Sequence, residues 1–154
     1  MAGLHCGAGA GTVRRMELPQ VPPDASLPFA CELFTRWSDE DNQGVLNNAI
    51  YLTLFEEGRH RYFLGLGLLD SAQFPFLLAQ THLKFLAPGR GGCAVRLTMG
   101  TTRIGTSSFE QAYRIHGPDG TVWCEGEALL VCYDPRTGKS RAMDPDFRAC
   151  LERG

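Results

Sequence analysis

The alternation of hydrophobic and polar positions predicts one short strand, then one long helix, then four consecutive strands. The run FACELFTRW, which begins at Phe29, has the apolar and aromatic composition of a strand. A helix is predicted over roughly Asn48 to Leu66, because polar and apolar residues there separate onto two sides with helical spacing. The polar stripe consists of Thr53, Glu56, Glu57, His60 and Arg61, and the apolar side of Tyr51, Leu52, Leu54, Phe55, Gly58, Tyr62 and Phe63. The glycines of GLGLLD end this helix.

Four runs with strand character follow the helix. FLLAQTHLKFLAP alternates with a period of two, and CAVRLTMGTTRI, SSFEQAYRIHG and TVWCEGEALLVCYD are similarly long. The sequence GPDG predicts a hairpin between the last two strands. PRTGK predicts another turn, and DPDFRACLER a short closing helix that begins near Asp144 or Pro145.

This order of elements predicts an α+β fold, in which one long helix packs on one face of an antiparallel sheet of about five strands. Such a sheet leaves its other face and its edges to be covered, so we expect at least a dimer. Residues 1–28 are predicted to be a flexible leader and linker, and residues 29–154 the folded domain, because the prolines of ELPQVPPDASLP block regular structure. MAGLHCGAGAGTVRR has no acidic residue and ends in two arginines, which leaves three interpretations: an organelle-targeting segment, a disordered leader, or a natural start at Met16.

Composition narrows the class of protein. The 154 residues are 44% hydrophobic and 21% charged, as in one ordinary globular domain. A net charge of −2 argues against a nucleic-acid partner, and no apolar run approaches the ~20 residues of a membrane-spanning helix. The six cysteines form no C-x-x-C pair, which argues against a zinc site. With no secretory signal, they predict reduced thiols and a cytoplasmic location.

The segment SDEDNQGVLNNAIY, just before the helix, concentrates the candidate chemistry. Asp39 and Asp41 imitate the beginning of a calcium-binding loop, but Ile50 stands where the bidentate glutamate is required. The simplest interpretation is that Asn47 or Asn48 caps the helix. A functional interpretation is that the helix start offers backbone N–H groups to a carbonyl oxygen that gains negative charge, with Asp41 nearby as general base or nucleophile.

The stretch RWSDEDNQGVLNNAIYLTLFEEGRHRYF resembles the signature of the hotdog-fold acyl-CoA thioesterases, in the 4-hydroxybenzoyl-CoA thioesterase-like branch. The later stretches THLKFLAPGRGG, RIGTSSFEQAYRI and LLVCYDPRTGKS resemble the remaining strands of that family, so the resemblance covers about residues 31–142. It implies a hotdog fold, in which the sheet wraps around the helix. The signature positions are occupied in register by Arg36, Trp37, Asp39, Asp41, Gly44, Asn48, Tyr51, Glu56 and Arg59.

The resemblance also implies an activity and a site. Asp41 stands at the position of the catalytic carboxylate, as nucleophile or as base for water. The turn around Asn48, with Asn47 and Ala49, would polarise the thioester carbonyl. The helix from Tyr51 to Phe63 would line an acyl tunnel at a dimer interface. The residues expected to contact the pantetheine or phosphates from the neighbouring subunit are Gly105, Thr106, Ser107 and Ser108.

The expected reaction is hydrolysis of a fatty- or aryl-acyl-CoA to free acid and CoA, without a metal or redox cofactor, by a homodimer or a dimer of dimers. An acyl carrier protein is the alternative carrier of the acyl group. Arg90 is a candidate for the CoA phosphates, since arginine binds them bidentately. Many relatives have histidine where this chain has Val45 or Asn48. The absence of an imidazole keeps a catalytically idle acyl-CoA-binding module as a rival, with a hydratase or dehydratase as a weaker one. Glu56 on the helix is the alternative carboxylate.

Overall fold

The computed structural model describes residues 26–69 and 74–153. The strands are β1 (Phe29–Phe34), β2 (Phe76–Phe85), β3 (Ala94–Ile104), β4 (Ser108–His116), β5 (Val122–Asp134) and β6 (Lys139–Ser140). The helices are α1 (Asn48–Gly65) and α2 (Pro145–Arg153), with a 3-10 helix at Trp37–Asp39. The predicted order of strand, long helix and four strands is confirmed, as is the closing helix. The 3-10 helix was not predicted, and β6 begins at the last residue of the predicted PRTGK turn.

One antiparallel sheet has the strand order β1-β3-β4-β5-β2, with β6 paired to β5. The predicted GPDG hairpin between β4 and β5 is confirmed, since the Gly120 N–H donates to the Gly117 carbonyl at 2.9 Å. Strands β1 and β2 form the two edges. Strand β2 exposes apolar side chains, including Leu77 and Leu78 at 53% and 44% exposure. Most of the predicted leader lies in residues 1–25, outside the described residues, while Leu27 is already buried.

Helix α1 lies against one face of the sheet and forms the core with it. Glycines let the two layers approach: a Cβ at Gly58 would lie 2.6 Å from a methyl carbon of Leu97, and a Cβ at Gly126 would collide with the Phe55 ring. The helix ends at Gly65, and Gly67 takes the left-handed conformation with φ 70° that glycine favours. The predicted α+β architecture, with one helix wrapped by the sheet, is confirmed.

One position of α1 differs from the predicted stripes: Leu52, predicted on the apolar side, is 39% exposed. Arg59, which belongs to neither predicted stripe, is buried. The Arg59 guanidinium donates to the Tyr113 hydroxyl at 3.0 Å, and that hydroxyl donates to Gln111 Oε1 at 2.6 Å. Burial raises the pKa of Tyr113 to about 12. The phenol therefore keeps its proton, and Arg59 is accommodated by neutral partners and by the ring of Tyr113, 5.6 Å from its guanidinium carbon.

Candidate active site

The segment that leads into α1 packs against the loop between β2 and β3. The Thr35 N–H donates to the Cys93 carbonyl at 3.0 Å, and the Leu46 N–H donates to the Gly89 carbonyl at 3.0 Å. The Gly91 N–H donates to Glu40 Oε1 at 2.9 Å. These bonds join residues 35–47 and residues 86–93 into one rim at the start of the helix.

The acidic residues of this rim have separate roles. Asp39 is buried and receives the Arg36 backbone N–H on Oδ2 at 2.8 Å and the Arg36 Nε on Oδ1 at 2.9 Å. Asp39 therefore holds the 3-10 turn through Arg36, a pairing that was not predicted from the sequence. Asp41 is partly buried, and its Oδ1 accepts the Gln43 N–H at 2.8 Å. Its backbone N–H donates to the Val45 carbonyl at 2.8 Å, which closes the loop of residues 41–45 and holds Asp41 at its start.

The backbone N–H groups at residues 47–50, where α1 starts, differ in whether they have an acceptor. Asn47 is the cap: its Oδ1 accepts the Ala49 N–H at 2.9 Å, and its carbonyl accepts the Ile50 N–H at 2.9 Å. Its own N–H donates to the Asp39 carbonyl at 2.8 Å. Within residues 26–69 and 74–153 the Asn48 N–H has no hydrogen-bond acceptor. Among the amides predicted to polarise a carbonyl, the one at Asn48 is thus left for a ligand.

A groove of about 290 Å³ opens beside this amide, lined by Val45, Leu46, Asn48, Tyr51 and residues 85–89. Phe85 and Leu86, which are 47% and 45% exposed, contribute apolar surface to its wall. Tyr51, predicted to contact substrate, has its hydroxyl against Gly89, and burial raises its pKa to about 12, so the phenol stays neutral. Asp41 lies on the same rim but is not part of the groove lining.

Arg90 also belongs to the rim. Its side chain is exposed, and the guanidinium donates to the Gly44 carbonyl, which links the two loops. Within the described part of the chain, Arg90 forms no ion pair with a carboxylate. Its guanidinium therefore lies at the turn formed by residues 41–44 without a carboxylate partner among the described residues, so its charge is available to a phosphate.

The predicted pantetheine contacts lie elsewhere in this chain. Gly105, Thr106, Ser107 and Ser108 form the turn from β3 to β4, in which the Gly105 N–H donates to the Ser108 carbonyl at 2.7 Å. The Ser107 carbonyl accepts the Cys132 N–H, and Cys132 pairs with Phe76, whereas the groove lies at the Phe85 end of β2. The turn and the groove are separated by most of the length of β2, roughly 30 Å.

Their separation means that one chain does not bring these four residues to Asp41. The turn instead holds the C-terminal segment: the Thr106 carbonyl accepts the Met143 N–H at 2.8 Å, and the Gly105 carbonyl accepts from the Arg148 guanidinium. No group of three or more metal-ligating side chains occurs among the described residues. No described helix is long and apolar enough to cross a membrane.

Comparisons with known proteins agree with this architecture. The family model described as the thioesterase-like superfamily matches residues 35–151. The acyl-CoA thioester hydrolase YbgC of Escherichia coli is 27% identical over 112 residues, covering 70% of this chain and 83% of that protein. The chloroplastic acyl-acyl carrier protein thioesterase ATL2 of Arabidopsis thaliana is 31% identical over 86 residues, covering 53% of this chain and 44% of that protein.

A solved structure is similar over nearly its whole length. It is described as a predicted thioesterase from Bacillus stearothermophilus and has a TM-score of 0.73 at 25% identity, covering 81% of this chain and 94% of that chain. The family model spans most of the folded domain, including the rim, the groove and strands β2 to β6. This chain therefore belongs to the thioesterase-like superfamily and has its hotdog fold.

Proposed function

We propose that this protein is a thioester hydrolase that cleaves fatty- or aryl-acyl-CoA to free acid and CoA. The observation that carries the proposal is the Asn48 N–H, unpartnered among the described residues, beside a groove with apolar side chains in its wall and with the Asp41 carboxylate on the same rim. A helix start supplies a backbone donor and the positive end of a dipole, which suit a thioester carbonyl that becomes an oxyanion. The family match and the acyl-CoA thioester hydrolase of Escherichia coli support the reaction class.

The proposed reaction uses a carboxylate and a hydrogen-bond donor to the oxyanion. As general base, Asp41 takes a proton from water while the oxygen attacks the carbonyl carbon, and the Asn48 N–H stabilises the tetrahedral oxyanion. The carbon–sulfur bond then breaks, and the protonated Asp41 returns its proton to the leaving thiolate. As nucleophile, Asp41 instead forms a mixed anhydride with release of the thiol, and water hydrolyses the anhydride. Both routes give one acid and one thiol for one water.

The proposal includes a homodimer that completes the site. Strand β2 is an edge with exposed Leu77 and Leu78, so antiparallel pairing with β2 of a second copy would extend the sheet. Such pairing sets the Phe76 end of one chain beside the Phe85 end of the other. The turn at 105–108, at the Phe76 end, would then approach the partner's groove, consistent with its predicted contact to pantetheine.

An idle acyl-CoA-binding module is the second candidate, because Val45 and Asn48 leave the groove lining without histidine. The same feature disfavours a hydratase or dehydratase, which would need an Asp and His pair at this point. An acyl carrier protein thioester is the alternative substrate, suggested by the chloroplastic relative of Arabidopsis thaliana.

A thiol-release assay over short, long and aromatic acyl-CoA thioesters tests the proposal with the wild type, Asp41→Ala and Glu56→Ala. We expect release by the wild type and by Glu56→Ala, since Glu56 is exposed on α1 outside the groove lining, and loss of release in Asp41→Ala. Retained acyl-CoA binding with no release from any thioester would favour the idle module. Loss in Glu56→Ala with activity retained in Asp41→Ala would assign the carboxylate to the helix.

A further inference from the structure

Trp37 presents its indole to solvent beside the proposed site. Its side chain is 83% exposed, whereas Trp123, the other tryptophan, is buried at 5% exposure. A single exposed apolar side chain is ordinary on a protein surface, so exposure alone assigns no role. The neighbours of Trp37 provide the further evidence.

The backbone under the indole is held firmly. Trp37 opens the 3-10 helix that the Arg36 and Asp39 pair closes, and the Glu40 N–H donates to the Trp37 carbonyl at 3.4 Å. A Cβ at Gly91 would lie 3.1 Å from the Trp37 Cα, so the 3-10 turn and the β2–β3 loop are in direct contact. The ring is therefore carried on a preorganised turn, which lowers the entropy that a ligand must remove on binding.

Arg90 adds a cation to the loop that contacts the Trp37 backbone. It precedes Gly91 in the loop, and its carbonyl accepts the Thr35 hydroxyl at 3.0 Å, two residues before Trp37. Arg36 is engaged by Asp39, while Arg90 forms no ion pair in residues 26–69 and 74–153. Along the β2–β3 loop, Gly89 thus contacts the groove residues, Arg90 carries a charge, and Gly91 lies against the Trp37 backbone.

We infer that Trp37 and Arg90 bind the adenosine phosphate end of CoA, with adenine stacked on the indole and a phosphate paired with the guanidinium. The inference rests on the proposed function for the location of the thioester in the groove. An aromatic face binds any flat base, and a guanidinium suits a phosphate, so the pair recognises a nucleotide. A carrier protein presents phosphopantetheine without adenine. The rim therefore selects acyl-CoA over an acyl group on a carrier protein.

Tryptophan fluorescence tests binding without any need for turnover. Adenosine 3′,5′-bisphosphate, the nucleotide part of CoA, should quench the emission of the wild type in a saturable manner. Trp37→Phe leaves Trp123 as the only tryptophan, and its buried emission should not change with the nucleotide. Arg90→Ala retains the reporter at Trp37, and its Kd for the nucleotide should rise roughly tenfold. Pantetheine, which lacks the nucleotide, should not quench the wild type.

Kinetics test the consequence for substrate choice. In Trp37→Ala, KM for an acyl-CoA should rise roughly tenfold with kcat unchanged, because the lost contact is the same in the ground and transition states. KM for the matching acyl-pantetheine should stay at the wild-type value. Leu64→Ala removes an apolar side chain that is 56% exposed near the other end of α1, and it should change neither KM.

The opposite results would overturn the inference. Absence of quenching, or an equal change in KM for both thioesters, would show that Trp37 does not contact the nucleotide. A fall in assembly mass of Trp37→Ala by light scattering, with the ratio of the two KM values unchanged, would assign the indole to a subunit contact instead. A wild type that hydrolyses neither thioester would overturn the proposed function, and the fluorescence titration would still decide nucleotide binding.

Discussion

Replacing Asn47 by aspartate should separate the structural role of the helix cap from the electrostatics of the proposed oxyanion site. Asn47 Oδ1 accepts the Ala49 N–H at 2.9 Å, and an aspartate oxygen can accept the same bond. A carboxylate also interacts favourably with the helix N-terminus, by about 0.3–1 kcal/mol. We therefore expect Asn47→Asp to unfold at the wild-type temperature or slightly above it.

The same change should slow the reaction. An oxyanion bound to the Asn48 N–H would lie about 5 Å from the new carboxylate, where an effective dielectric of ~20 gives roughly 3 kcal/mol of repulsion. Asn47 is exposed, so solvent screening reduces this to about 1–2 kcal/mol. That range corresponds to a fall in kcat of roughly fivefold to thirtyfold.

Asn47→Ala is the matched control, because it removes the cap without adding charge. Its free energy of unfolding should fall by about 1 kcal/mol, which lowers Tm by roughly 2–4 °C. Its kcat should fall less than that of Asn47→Asp. The assays are thermal unfolding and steady-state thiol release from an acyl-CoA on the three proteins. A stable Asn47→Asp with wild-type kcat would refute the assignment of the oxyanion to this helix start.

Two further predictions follow from buried contacts. Gly89→Ala should lower the free energy of unfolding by about 1–3 kcal/mol, because its Cβ would press on the Tyr51 hydroxyl and lie 2.9 Å from the Trp123 ring. A wild-type midpoint of urea unfolding would contradict this packing beneath the groove. Burial lowers the pKa of His116, whose Nε2 lies 3.2 Å from Thr98 Oγ1. Near and below pH ~6.5 the imidazole takes up a proton more readily in the unfolded chain than in the folded one. The contribution of the neutral His116 to stability is therefore complete above pH ~6.5 and is lost as the pH falls below that value. His116→Asn should flatten this part of the urea-midpoint profile, and an unchanged slope would contradict the assignment.

The main elements of the fold were predictable because their signals are local. The spacing of apolar residues identified α1 to within one residue at its C-terminal end, and the GPDG turn fixed the β4–β5 hairpin. Arg59 was harder to place, because its charge is accommodated in the core by Tyr113, more than fifty positions away in the sequence. Leu52 is exposed for a related reason: the sheet covers only part of the apolar side.

The residues of the candidate site remain a prediction from the sequence, and their hydrogen bonds could not be predicted from it. The sequence left Asn47 and Asn48 as equal candidates for the cap, and the structure assigns the cap to Asn47, which leaves the Asn48 amide without a partner among the described residues. Asp39 and Asp41 look alike in the sequence, yet Arg36 binds the first and not the second. The role predicted for the turn at 105–108 depends on a second chain, and a single sequence gives no contacts between copies.

The central claim is that Asp41 is the carboxylate that drives thioester hydrolysis. The most direct test is kcat for acyl-CoA hydrolysis by the wild type and by Asp41→Asn, measured on proteins of equal Tm. Asparagine keeps the acceptor for the Gln43 N–H but can be neither base nor nucleophile in the proposed reaction. We predict that kcat falls by roughly a hundredfold or more. A kcat for Asp41→Asn within about twofold of the wild type would contradict the account.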